Sequence, residues 1–287
     1  MNAAEITFGV EIETHMPRGA VVRGGHGCGA QVEWLPAGWL ADADPSIIPP
    51  NDNRVGCEFV SPVLKGADGL RQLCEVIAEI KRRGGQVNAS CGLHVHVGFD
   101  KANTPAVRKL LNLVANHEKA LYAVTGTRGR EQGVGSRYRT CWCKSVKQYG
   151  NASSAEAHAR HDRYHVLNLA TGGKPTVEFR VFGASLNAEK AAAYVRLCVA
   201  LVEKAMNVKA TRFATSASAT RNRGRFTGGE GHAELVRLLY SIGWRKNGAS
   251  TKGVYGVIEA DGVPTMDAAR KQLSRLAKKY DAAPLDG

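Results

Sequence analysis

Three short segments of this chain place acid, base or ligand-type side chains in pairs two residues apart. In Val10-Glu11-Ile12-Glu13 the pair is two carboxylates, in Leu93-His94-Val95-His96 two imidazoles, and in Val177-Glu178-Phe179-Arg180 a carboxylate and a guanidinium. On a β-strand that spacing sends both members to one face, with the intervening apolar residues on the other. A wet sheet face accounts for any one such strand. It accounts poorly for the set, because exposed strand faces draw on Thr, Lys, Ser and Gln, whereas these positions hold only ligand and acid–base types. Three carboxylates beside two imidazoles repel one another and bind protons more tightly unless a cation lies among them. Oxygen and imidazole donors without thiolates suit Mg²⁺ or Mn²⁺ better than structural zinc. Glu58, in the strand-like Cys57-Glu58-Phe59, is a further candidate oxygen ligand.

The elements that must position these residues are legible around them. Ile6 to Glu13 alternates with period two, as does Cys57 to Leu64, where Pro62 marks an edge or bulge. Leu70, Leu73, Val76, Ile77 and Ile80 recur at helical spacing over 67–83, and Gly84-Gly85 ends the run. A strand from Gly92 to Phe99 precedes a helix capped by Thr104-Pro105, with Val107, Leu110, Leu111, Val114 and Leu121 on its inner face. Residues 125–162 show little periodicity and are expected to be long loops. Strands are expected at Tyr164–Leu169 and Thr176–Phe182, then a helix at about 187–207. A polar tract, 211–231, leads to short helices at about 232–242 and 265–280. The expected organisation is a unit over 1–208 and a basic loop with a helical C-terminal appendage, a possible lid, over 209–287.

At 287 residues, 44% hydrophobic and 23% charged, the chain has the composition of a globular protein rather than a disordered or membrane one. Its formal charge of +13 is uneven: residues 1–100 carry 8 Lys and Arg against 12 Asp and Glu, and residues 101–287 carry 31 against 14. The first third could hold a cation and the remainder phosphate or carboxylate. No run of about 18 apolar residues occurs, so no membrane span is expected. Met1 to Glu5 leads into a strand-like segment without the basic and apolar stretches of a signal peptide, and the seven scattered cysteines form no zinc or redox pair. The expected location is the cytoplasm.

Taken in order, Phe8 to Glu13, Asp44-Pro45-Ser46, Glu58 to Leu64, Cys91 to Gly98, Arg163-Tyr164 with Asn168, and Thr176 to Arg180 resemble the motif series of the amidoligase family, relatives of glutamine synthetase and the glutamate–cysteine ligases, over about residues 5–205. The resemblance implies an α+β fold. Its core would be glutamine synthetase-like, a curved antiparallel sheet with helices on the convex face. It implies an ATP-dependent carboxylate–amine ligase, acting on small-molecule or peptide substrates through an acyl phosphate. Glu11, Glu13, Glu58, His94 and Glu178 would hold Mg²⁺ or Mn²⁺. His96 would approach the nucleotide, Arg180 the transferred phosphoryl group, and Arg139, Arg163 and Asn168 the nucleotide or substrate. Asp44 would orient or deprotonate the amine, although a turn residue before Pro45 has an equal structural use. Acyl donor, amine and product stay open.

Two other classes compete. A zinc hydrolase built on His94 and His96 would leave several carboxylates surplus and Arg180 with no phosphate to bind, and a Cys91 nucleophile lacks a local cause for a depressed pKa. Nucleic-acid binding would use Arg221 to Phe226 and Lys246 to Lys252, but 7% aromatic content and the absence of any recognised nucleic-acid-binding spacing argue against it. Gly25 to Gly29 lacks the Lys-Ser/Thr ending of a phosphate-binding loop and is expected to be flexible. His158, His161 and His165 read as surface or packing residues.

Overall fold

The computed structural model describes residues 2–132, 142–213, 230–245 and 253–283. Eight strands form one sheet: β1 (Thr7–Pro17), β2 (Ala30–Gln31), β3 (Leu40–Asp42), β4 (Arg54–Val60), β5 (Leu64–Lys65), β6 (Gly92–Gly98), β7 (Leu167–Asn168) and β8 (Thr176–Gly183). The order is β2-β3-β4-β1-β6-β8-β7, all antiparallel, with β5 paired to the start of β1. The alternation in β1, β6 and β8 divides the sheet into two faces as the sequence predicts. Phe8, Val10, Ile12, Leu93, Val95, Val97, Val177 and Phe179 are buried in the hydrophobic core.

The helices are α1 (Gly66–Arg82), α2 (Thr104–Ala123), α3 (Gly129–Gln132), α4 (Ala152–His161), α5 (Ala188–Asn207), α6 (Glu230–Ile242) and α7 (Met266–Ala282). Helix α1 forms because Leu70, Leu73, Val76, Ile77 and Ile80 make one buried stripe. It packs beside α5, which in turn packs on α2 and against β6. Helix α5 is wrapped on nearly every side and is accordingly apolar almost all round. Helices α6 and α7 pack on α2 and α5, adding Leu235, Leu238, Ile242, Leu273 and Tyr280 to the same core. Asp281 of α7 accepts from the Gly231 and His232 amides at 2.7 and 2.9 Å, satisfying the first turn of α6.

Several expectations need correction. The segment 125–162 is not all loop: α4 is N-capped by Asn151, whose side chain accepts from the Ser154 amide, and it buries only Ala155, Glu156 and Ala159. Such small residues leave almost no hydrophobic periodicity to read. The strand expected over Tyr164–Leu169 shrinks to Leu167–Asn168, and that expected over Cys57–Leu64 breaks after Val60, ahead of Pro62. The N-cap of α2 is Asn103, which accepts from the Ala106 amide, rather than Thr104. The Gly25–Gly29 segment is a loop, as expected, with a single bridge between Gly25 and Cys28.

Candidate active site

Strand register assembles the site. Across β1 and β6, Glu11 lies opposite His94; across β1 and β4, Glu13 lies opposite Glu58; across β6 and β8, His96 lies opposite Glu178. At the two margins Asp42 of β3 faces Glu58, and Asn168 of β7 faces Glu178. Residues directly opposite in an antiparallel pair share a face, so one patch of sheet receives polar side chains from six strands. The register between β6 and β8 slips by one residue between Leu93 and Val95. This bulge lies beside Arg180 and lets Val181 and Phe182 both enter the core. It brings Arg180 Nη1 to 3.5 Å from His94 Nδ1.

The contacts form one network. Glu11 takes both imidazoles, with His94 Nδ1 at 3.1 Å from one carboxylate oxygen and His96 Nε2 at 3.1 Å from the other. His94 also lies 3.5 Å from Glu13 and 3.6 Å from Glu178. Glu13 accepts from the Gly92 amide at 2.6 Å. Glu178 is bound by Arg180 Nη1 on one oxygen and by Asn168 Nδ2, at 2.5 Å, on the other. Glu178 and Arg180 are 2% and 4% exposed, and Arg180 Nε has no partner. A buried ion pair with a donor to spare is a weak stability device and a strong positioning one.

The charges are unequal in consequence. Burial raises the proton affinity of Glu11, but the hydrogen bonds from His94 and His96 outweigh it and hold the carboxyl well below its usual range. Glu178 is likewise held down, its burial outweighed by His94, Arg180 and His96. Among the described residues Glu58 has no cationic partner. Burial first, then Glu11, Glu13, Asp44 and Asp42, push it up to about 9. Ligand atoms of Glu11, Glu58 and His94, of Glu11, His96 and Glu178, and of Glu13, Asp44 and Glu58 lie within 4.8 Å of one another in each triad.

A cavity of about 1210 Å³ opens on this face, lined among others by Glu11, Glu13, Asp44, Glu58, His94, Arg163 and Arg180. The structure thus brings together every metal-ligand candidate named from the sequence, with His96 and Asn168 attached through Glu11 and Glu178. Asp44 serves both of its readings: its Oδ1 accepts from the Ser46 amide at 2.7 Å within a turn, and its carboxylate faces the cavity. Arg139 lies outside the described residues, as do Arg137, Arg221 to Phe226 and Lys246 to Lys252. Arg160 is tied to Glu156 and to the Lys101 carbonyl. His165 is fully buried, between Tyr149 Oη and the Asp162 carbonyl. Cys91 is buried on the cavity wall. Sequence reasoning missed Asp42, Lys174 and Lys190, which also line the cavity. Only Asp42 left a trace, its two-residue offset from Asp44. No described helix is long and apolar enough to cross a membrane.

No curated protein sequence matches the chain. Among solved structures it is similar to a bifunctional glutathione synthetase from Pasteurella multocida, with a TM-score of 0.45 and 13% identity over 98% of this chain and 48% of that one. It is also similar to the ligase PafA in complex with the prokaryotic ubiquitin-like protein Pup, with a TM-score of 0.43 and 9% identity over 98% of this chain and 65% of that one. The chain therefore spans less than two thirds of either. Residues 23–202 match the family described as "Putative amidoligase enzyme", which takes in β3, β4, β6, β7 and β8 of the site. The chain belongs to this amidoligase family.

Proposed function

We propose that the chain is an ATP-dependent ligase that joins a carboxylate to an amine through an acyl phosphate, with residues 1–208 as its catalytic part. The observation that carries this reading is the carboxylate crowd around Glu11 and Glu58 set directly against Arg180. Its donors are oxygen and imidazole, three triads are close enough to share ions, and Glu58 holds a proton that a divalent cation would replace. Glu11, Glu13, Glu58, His94 and Glu178 would hold Mg²⁺ or Mn²⁺, which when bound neutralises phosphate charge.

The remaining work falls to side chains of the chain itself. Arg180 is fixed by Glu178 and keeps Nε free for a phosphoryl oxygen, where a preorganised donor counts most. Asn168 orients Glu178 from behind. Arg163 on the cavity wall binds phosphate or the substrate carboxylate, Arg139 is proposed for the same purpose, and His96 borders the nucleotide. A free carboxylate is a poor acyl donor. Transfer of the γ-phosphoryl group to it releases ADP; the amine then attacks the acyl carbon, the C–N bond forms and phosphate leaves with the C–O bonding pair. Asp44 takes the proton from the attacking amine. A one-zinc hydrolase would leave Glu178 and Arg180 without a role.

Purified protein with Mg²⁺, ATP and a matching carboxylate–amine pair should release ADP and phosphate. Arg180→Ala or Glu11→Ala should lower that turnover by about 100-fold or more. Turnover equal to wild type in either variant would remove the assignment.

A further inference from the structure

One carboxylate on the cavity wall has no place in the network. Asp42 is 7% exposed, lines the cavity, and has an Oδ1 without a hydrogen-bond partner. No ion pair among the described residues involves it. Arg23, on the preceding loop, directs Nη1 to the Gly56 carbonyl. Asp42 also stands outside all three triads, although its register partner Glu58 belongs to two of them. Divalent ions held by Glu11, Glu13, Glu58, His94 and Glu178 would offset those carboxylates, and the attacking amine would meet Asp44, which leaves Asp42 unmatched. A buried carboxylate with neither donor nor counter-charge is costly. The space beside it is kept open by Gly29, also on the cavity wall, where a Cβ would come within 3.3 Å of Asp42 Oδ1 and 2.6 Å of Leu40 Cβ.

We propose that Asp42 is the anionic anchor of the amine-acceptor subsite, and that the acceptor is a dication of the alkyl diamine class. One nitrogen is the nucleophile, placed at Asp44, and the other is an ammonium donating to Asp42. This deepens the ligase reading and rests on it for the identity of the nucleophile. The cavity is polarised to match, with Asp42 and Asp44 at the β3–β4 margin and Arg163 and Arg180 toward β7 and β8 for anionic groups. Asp42 acts by charge and position, and touches the substrate end that does not react.

The test is calorimetric titration of the full chain, in Mg²⁺ and a non-hydrolysable ATP analogue, with 1,4-diaminobutane, n-butylamine and glutamate in turn. Wild type should bind the diamine about tenfold or more tightly than butylamine, and glutamate weakest. Asp42→Asn should bring diamine and butylamine within about twofold of each other while Mg²⁺ and nucleotide affinities hold. The wild-type ranking decides even where the variant does not fold. Equal affinity for diamine and butylamine, a preference for glutamate, or an Asp42→Asn variant that loses Mg²⁺ rather than the diamine overturns the proposal. Nucleotide binding without diamine binding overturns it and leaves the ligase reading standing. Asp42-dependent diamine binding without nucleotide affinity sustains the subsite and removes the ligase reading.

Discussion

Metal binding at this site should be a proton-release reaction, and Glu58 is the group that makes it so. Its carboxyl is driven to about 9 by burial and by Glu11, Glu13, Asp44 and Asp42, so at pH 7 the metal-free site keeps it protonated. A divalent ion binds only the carboxylate. Ionising a group two pH units below its pKa costs about 2.7 kcal/mol, at about 1.36 kcal/mol per unit. Between pH 6 and 8 the apparent Mg²⁺ or Mn²⁺ association constant should therefore rise about tenfold per pH unit, with close to one proton released. Calorimetry in buffers of different ionisation enthalpy counts that proton directly. Stability should show the converse. A carboxyl raised above its unfolded value takes up a proton in the folded state, so that contribution is full at low pH and is lost as pH rises from about 4.5 toward 9. In chelator the melting temperature should fall across that range, and saturating Mg²⁺ should flatten the fall. Glu58→Gln should abolish the proton release and the part of the slope above about pH 7, where Glu118 no longer contributes. Metal binding at pH 7 without proton release, or a slope above pH 7 unchanged in Glu58→Gln, would show that Glu58 is not the group whose proton the ion displaces.

Other expectations lie away from the cavity. Glu118 on α2 is raised to about 7 by burial, against the opposing hydrogen bonds from the Ser145 hydroxyl and the Val146 amide. Its contribution is full below about pH 4.5 and is lost as pH rises to about 7, a span of about 3 kcal/mol that Glu118→Gln should remove from urea titrations at pH 5 and pH 8. Arg196, fully buried on α5, donates Nε and Nη2 to the Ile258 carbonyl at 3.1 and 2.6 Å. Arg196→Met should lower unfolding free energy by about 2–3 kcal/mol and speed hydrogen exchange over residues 254–260; unchanged exchange there would show that the pin is dispensable.

How far the sequence carried this reading depends on the kind of information each element needs. The pairs on β1, β6 and β8 were legible because period-two alternation fixes which residues share a face before any partner strand is known. Glu58 was legible as a candidate, but its place opposite Glu13 depends on register, which no local pattern states. Asp42 left only its two-residue offset from Asp44, because β3 has three residues, too few for a period. The bulge beside Arg180 was invisible for a related reason: it is a property of two strands together, and Thr176 to Phe182 reads alone as regular alternation. Helix α4 escaped because Ala and Ser supply helix propensity without a stripe. The C-terminal helices were placed correctly along the chain, but their packing on α2 and α5 required long-range contacts.

The charge distribution has a simpler physical basis than a basic protein seeking nucleic acid. Glu11, Glu13, Asp42, Asp44, Glu58 and Glu178 face one guanidinium and two imidazoles on the sheet. Such a surface is folded against its own repulsion, so the stabilising free energy must come from elsewhere. It comes from the opposite face, where Phe8, Val10, Ile12, Leu93, Val95 and Val97 meet α5 and its neighbours with almost no exposed area. The same alternating strands supply both faces, and a one-residue slip would exchange them. The apolar face therefore fixes the register on which the acidic one depends. A core substitution that permits slippage in β1 or β6 should abolish the proposed metal binding before it unfolds the chain, because Glu11, Glu13, His94 and His96 would turn to the wrong side while the strands still pair.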